Sequence, residues 1–342
     1  MKKILFIPVG GTICTSSDKH GMLSVKEDSG YTITSNFKNS NSVFREDIEF
    51  DITDNLMILS ENMTVSKWNL MLNTYREHIS GKAYDGVIFA HGTDTLAYSA
   101  SLFSILLSNT DIPIFFVSAN KSLDCFDSNG NDNFRTAAEL ICYGTKPGVY
   151  VTYKNISDGR MYIHSAVEIE QCKNYSEDFY SKNMIDISSL SVDNHKNISD
   201  EINKLLSYKF ERKYDFLKVS KNLKDCILLI NPYVGIRYDS YNYKNFDAVL
   251  HTTFHSGTMC TDGDSVNSVM YMMNMCENWK TDVYFSPAKS GGATYESIVP
   301  IRNCNTAHFM YGNTNEFAYA KLLVAYSFFE NEKERNNFLN SY

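Results

Sequence analysis

Short apolar runs that end in Gly or Thr and give way to helical spacing recur through the first part of the chain, which restricts it to β-α units around a parallel sheet. The runs cover residues 4–9, 86–90 and 112–117. Between the first two, Trp68, Met71 or Leu72, Tyr75 and Ile79 fall at helical spacing within 64–80, and Thr64 stands where it can cap the start. Further helices are expected over about 95–107 and 133–143. Residues 17–48 contain Gly21, Gly30 and many Ser, Thr and Asn, and read as a β-hairpin or mobile flap of the kind that covers a site.

A length of 342 residues exceeds one ordinary core and predicts two domains. From about 184 the chain turns polar and aperiodic, with one helical piece near 200–206. The expected division is a catalytic N-terminal domain over 1–190, a linker over 191–222 and a smaller α/β domain over 223–342. In the last, strands are expected at 226–230, 248–252 and 283–286 and helices at 265–276 and 316–329, with Met270 to Met275 packed into a second core. The fold class is α/β: a larger N-terminal domain with a mostly parallel sheet flanked by helices, plus a smaller C-terminal α/β domain.

A net charge of −8 with dispersed lysines argues against nucleic acid, which needs a dense basic face. No apolar stretch reaches membrane-spanning length, and the run after Met1-Lys2-Lys3 contains Pro8 and enters a Gly-Gly turn, so it reads as a buried strand and not a secretion signal. Eight cysteines without C-x-x-C pairing fit reduced thiols and a cytoplasmic location.

An open parallel sheet places ligands beyond the C-terminal ends of its strands, and two threonine motifs sit at such ends. In Gly10-Gly11-Thr12-Ile13 the glycines let the backbone turn sharply and approach a ligand while Thr12 presents a hydroxyl. In His91-Gly92-Thr93-Asp94-Thr95, Gly92 turns the chain out of its strand and Thr93 and Asp94 lie at a helix start, whose unpaired amides can hold a carboxylate or oxyanion. The blander use of the same residues is a loop and a helix cap.

Taken in order, these motifs resemble those of the bacterial-type L-asparaginases, closest to the cytoplasmic type I branch. Asp85 to Ala100 resembles the family's second signature almost residue by residue, and Leu59-Ser60-Glu61-Asn62-Met63-Thr64 with Trp68 is similar to its substrate-anchoring segment. Asn231-Pro232-Tyr233-Val234-Gly235-Ile236 and a C-terminal helix with Glu316 and Lys321 also match. The resemblance implies hydrolysis of asparagine's side-chain amide to aspartate and ammonia, no metal or organic cofactor, and a homodimer or homotetramer. It makes Thr12 the nucleophile, Thr93 a second hydroxyl near the scissile amide and Asp94 a member of the proton-handling group. Ser60 and Glu61 would anchor the substrate's α-groups, with Gly11, Gly92 and Ala119 completing the binding site.

Three positions depart from the family pattern. The family's lysine beside the second threonine aligns with Glu170, or with Gln171 after a one-residue slip, while Lys173 is reached only by a shift of about three. Glu170 close to Asp94 would form a carboxylate pair sharing a proton. The flap tyrosine aligns with Gly21-Met22, leaving Tyr31 as the nearest alternative, and the third signature reads Asp127-Ser128-Asn129-Gly130. These changes raise a second reading, a silent homologue that binds an amino acid or acts on another small amide. His251 and His255 lie four apart but at a strand end and without a glutamate between them, so they do not predict a metal site. Ser290-Gly291-Gly292-Ala293 reads as a surface loop.

Overall fold

Every residue of Gly86–Ala90 and Pro113–Val117 is buried, as strands covered by helices on both faces require. A computed structural model describes residues 1–17, 23–191, 193–205, 214–263, 265–289, 295–304 and 306–341. The chain divides into two compact units, Met1–Ser220 and Lys221–Tyr342.

In the first unit, β1 (Lys2–Pro8) leads into the hairpin β2 (Thr15–Ser17) and β3 (Leu23–Val25), then α1 (Ser29–Lys38) and β4 (Ile48–Ile52). Next come α2 (Val65–Ile79), β5 (Gly86–Ala90), α3 (Leu96–Leu106), β6 (Pro113–Val117), α4 (Gly130–Cys142) and β7 (Gly148–Lys154). The unit ends with β8 (Met161–Ser165), β9 (Ile169–Glu170), β10 (Tyr180–Ser181), β11 (Ile185–Asp186) and α5 (His195–Leu205). Seven strands form one sheet in the order β11-β8-β7-β6-β5-β1-β4, parallel from β4 to β7 and antiparallel beyond it. The sheet is therefore mostly parallel.

Side-chain alternation divides the core between the two sheet faces. Phe6 packs edge-on against Phe134 of α4, and Ile4, Ile88 and Phe115 share that cluster with Ile33 and Phe37 of α1. On the other face Phe89 stacks on Phe116 and meets Tyr75 of α2 and Phe103 of α3. Each buried aromatic contributes about 2–3 kcal/mol of transfer free energy, so the strand ends that carry the site rest on a rigid base.

Several local readings change. The expected flap does form a short hairpin, but residues 29–38 are the helix α1, whose Ile33 and Phe37 are buried. Tyr31 sits on that helix with its side chain exposed, and Gly21-Met22 lies outside the described residues. Thr64 precedes α2 but makes no side-chain cap; its hydroxyl pairs with Ser66 Oγ at 2.9 Å. The stretch expected as a linker carries α5, whose Ile198 and Ile202 join the large core.

The second unit holds a parallel sheet of β12 (Ile227–Ile230), β13 (Ala248–Thr252), β14 (Asp282–Ala288) and β15 (Ala307–Tyr311) in that order. Its helices are α6 (Val269–Trp279), α7 (Val299–Arg302), α8 (Asn315–Phe328) and α9 (Glu332–Asn340). Met272 and Met273 of α6 are buried beside Val249 and Phe285. His251 is buried with Nε2 at 2.7 Å from the Tyr238 hydroxyl, an ordinary core histidine. The 290–293 loop lies outside the described residues. Among the described residues no helix is long and apolar enough to cross a membrane.

Candidate active site

Three loops converge beyond the ends of β1 and β5, and glycines set how closely they approach. Gly10 and Gly11 have φ of 137° and 71°, left-handed values that let the chain reverse after β1. Gly11 N–H donates to Ile58 O at 3.0 Å, fastening this loop to the segment before Ser60. A Cβ on Gly11 would lie 2.1 Å from Gly92 Cα, and one on Gly92 would lie 2.4 Å from Ser60 Oγ. The loops bearing Thr12, Ser60 and Thr93 are thus in backbone contact that side chains would prevent.

Thr12 opens a 3-10 turn, Thr12–Cys14, and is half-buried; its carbonyl accepts from Thr15 Oγ at 2.8 Å. A second 3-10 turn, Thr93–Thr95, leads into α3, and a third, Ser60–Asn62, faces it. Two side-chain hydrogen bonds join these last two turns. Ser60 Oγ donates to Asp94 Oδ2 at 3.1 Å, and Thr95 Oγ1 donates to Ser60 O at 3.0 Å.

Beneath the Thr93 turn runs a buried polar relay. His91 is fully buried, and burial pushes its pKa down to about 4, so the imidazole is neutral. Its Nδ1 lies 2.8 Å from Gly92 O and must carry the proton to donate there, leaving Nε2 to accept from Ser99 Oγ at 2.9 Å. Ser99 Oγ in turn accepts from Trp68 Nε1 at 2.8 Å. The chain Trp68–Ser99–His91 therefore ends on the carbonyl just before Thr93 and fixes that peptide.

A cleft of about 560 Å³ opens over Thr93 and Asp94, lined also by Asn120, Gln171, Lys173 and Glu177. Gln171 Nε2 donates to Thr93 O at 2.9 Å. Glu170, expected beside Asp94, does not line the cleft: it is exposed on β9, paired with Tyr180. The alternation of β9 buries Ile169 and turns Glu170 outward, and Gln171, the residue just after the strand, is the one that meets Thr93. Neither Thr12, Ser60 nor the exposed Glu61 lines this cleft, although the first two sit on the adjoining loops. Ala119 is fully buried in the core and would meet the Cβ of any side chain placed at Gly130.

The sequence reading missed Asn120 and Asn129. Each donates its backbone N–H to the other's side-chain carbonyl, at 2.9 and 3.0 Å, and Asn120 Nδ2 reaches Glu177 at 3.0 Å. Asn129 lies within the quoted 127–130 motif, and that was the available signal. Asp127 instead forms an exposed ion pair with Lys121. Cys172, the thiol in the cleft, is pushed up to about 12 by burial and the nearby acids Asp178 and Asp94, and so stays protonated and unreactive.

Hydroxyl and carboxylate side chains gather on backbone turns at the C-terminal ends of parallel strands, where open α/β sheets as a class take their ligands. The sequence profile of the family "Asparaginase, N-terminal" matches residues 3–203, and the chain belongs to this family. It is similar to the D subunit of glutamyl-tRNA(Gln) amidotransferase from Archaeoglobus fulgidus, 28% identical over 247 residues, covering 70% of this chain and 54% of that protein. The corresponding protein from Methanococcus vannielii is 30% identical over 237 residues, covering 64% and 53%. The chain thus spans about half the length of these relatives. In fold it is similar to the thermostable L-asparaginase from Thermococcus kodakarensis, with a TM-score of 0.70, 18% identity, and coverage of 98% and 96%. L-asparaginase I from Vibrio cholerae gives 0.70 at 20% identity, covering 99% and 96%. A probable cytoplasmic L-asparaginase from Campylobacter jejuni gives 0.68 at 15% identity over the full length of both chains.

Proposed function

We propose that the protein is an amidohydrolase of the L-asparaginase type that hydrolyses the side-chain amide of asparagine to aspartate and ammonia. The observation that carries this reading is the hydrogen bond from Ser60 to Asp94, which joins the substrate-anchoring segment to the second threonine motif. In the proposed reaction Thr12 Oγ attacks the amide carbon and its proton leaves with the departing ammonia. Water then cleaves the resulting ester, restoring the Thr12 hydroxyl and releasing the new carboxylic acid. Thr93 and Asp94 handle protons at the scissile group, and Ser60, Glu61, Gly11, Gly92 and the Ala119 backbone hold the substrate. The active form is a cytoplasmic homodimer or homotetramer, which light scattering on purified protein checks.

Gln171 favours a second reading. A neutral amide contacts Thr93 where a charged proton carrier would assist a weak hydroxyl nucleophile, which suits a binding protein or a hydrolase for another small amide. The relatives' names add a related possibility within that class, transfer of the amide nitrogen to an acceptor. Ammonia release from asparagine and glutamine separates the readings. Turnover abolished by Thr12→Ala and Thr93→Ala supports the first, whereas a folded protein that is silent at millimolar concentrations of both amides refutes it.

A further inference from the structure

Tyr153 is also part of the wall of the cleft over Thr93, and its hydroxyl oxygen is buried with no hydrogen-bond partner among the described residues. The side chain is fully buried on β7, and its ring meets Phe179 edge-on with ring centres 4.9 Å apart, which fixes its aim. Asn129 stands close by, but its Oδ1 accepts from Asn120 N–H at 2.9 Å and its Nδ2 donates to Lys154 O at 2.8 Å. Burial pushes the phenol up, against a smaller downward pull from Asn129, so the hydroxyl keeps its proton and can donate. A buried tyrosine hydroxyl ordinarily finds a partner, because leaving the bond unmade costs stability. Phenylalanine would fill the same space without that cost.

We infer that Tyr153 is a specificity-determining residue of this site, whose hydroxyl donates to the side-chain oxygen of a bound amino-acid amide. This deepens the amidohydrolase reading and rests on it. The strand order places the residue at the amide end. β1, β5, β6 and β7 are successive neighbours, so the Thr12 loop, the Thr93 turn, Asn120 and Tyr153 follow one another across the sheet. Ser60, the proposed anchor of the α-groups, lies on the β1 side, where Ile58 bridges Gly10 and Ser60 itself donates to Asp94. A ligand held there extends its side chain towards β6 and β7. About 10 Å separates β5 from β7, a gap that the tyrosine side chain and an asparagine side chain bridge together. An oxygen arriving there completes the bond that the protein leaves unmade, whereas a side chain without one leaves the buried hydroxyl unsatisfied and is rejected. Such bonds close as the ligand seats.

The test compares wild type with Tyr153→Phe, which removes one oxygen and keeps the ring. Binding of aspartate and of α-aminobutyrate is measured by calorimetry, and ammonia release is measured on asparagine. Aspartate carries a side-chain oxygen where asparagine carries its amide oxygen, and α-aminobutyrate carries none. Tyr153→Phe is expected to weaken aspartate about tenfold and to leave α-aminobutyrate within about twofold. Without ligand it should melt at the wild-type temperature or up to about 4 °C above it, because an unsatisfied buried hydroxyl has gone. A hydroxyl with a purely structural role behaves in the opposite way. A melting temperature clearly below wild type, or two ligands weakened alike or both unchanged, therefore overturns the inference, while ammonia release by wild type keeps the hydrolase reading. Wild type that binds aspartate but releases no ammonia ends the hydrolase reading, and the contrast between the two ligands alone then decides Tyr153. Wild type that neither binds nor turns over overturns both.

Discussion

Replacing Ser99 with Ala should damage the Thr93 turn from beneath without touching the cleft. The hydroxyl is fully buried, accepts from Trp68 Nε1 at 2.8 Å and donates to His91 Nε2 at 2.9 Å. Its removal takes a partner from two buried groups, each worth about 1–3 kcal/mol, giving a loss of about 3 kcal/mol. For a unit of this size that lowers the melting temperature by about 6–12 °C. His91 also loses the contact that fixes its ring against Gly92 O, so the peptide before Thr93 can shift by tenths of an ångström, and turnover should fall by about 10–100-fold. Ser101→Ala is the matched control. Its buried hydroxyl, also on α3, donates to Ala166 O at 2.9 Å, away from the Thr93 turn. It should cost about 1–2 kcal/mol and leave turnover unchanged. Thermal unfolding and steady-state ammonia release on both variants provide the comparison. A Ser99→Ala protein that melts with wild type, or whose turnover matches that of Ser101→Ala, refutes the positioning role.

Acid should destabilise the first unit through its buried histidines. Burial depresses His91 to about 4 and His164 to about 3, below the ordinary histidine value of 6.5, so the unfolded chain binds more protons in between. This stability is complete above about pH 6.5 and is lost as pH falls, by about 5 kcal/mol at pH 4.5 for the two together; a urea-unfolding free energy that is flat from pH 7 to 4.5 would contradict it. Gly92→Ala should cost about 3 kcal/mol because its Cβ would meet Ser60 Oγ and Cβ at 2.4 and 2.6 Å. Adding Ser60→Gly removes both clashing atoms and should restore roughly half of the lost stability; additive losses in calorimetry would show that the clash is not the cause. Glu170→Gln should leave turnover within twofold, since the carboxylate faces outward, and a drop of tenfold or more would return Glu170 to the site.

What the sequence discloses depends on whether a feature is written in local pattern or in packing. Residues 86–90 and 248–252 are continuous apolar runs, and both are strands over those same residues, because burial on two faces leaves no other composition. The meeting of the two threonine motifs was legible for a similar reason: only glycine tolerates the 2.1 Å approach at Gly11, so the motif itself reports the contact. Helix α1 was not legible, since its Ser- and Asn-rich surface masks the Ile33 and Phe37 pair that buries it. The position beside Thr93 was harder still. Residues 169–171 alternate in and out, so a one-residue difference in alignment exchanges a carboxylate for a carboxamide. The alternative Gln171 was visible in the sequence, but choosing it required knowing that Ile169 is buried and pairs with Ser181, which places Glu170 opposite Tyr180 and turns it to solvent. Lys173, two residues further on, lines the cleft. A site whose chemistry rests on strand register is decided by pairing partners ten or more residues away, and no local motif encodes them.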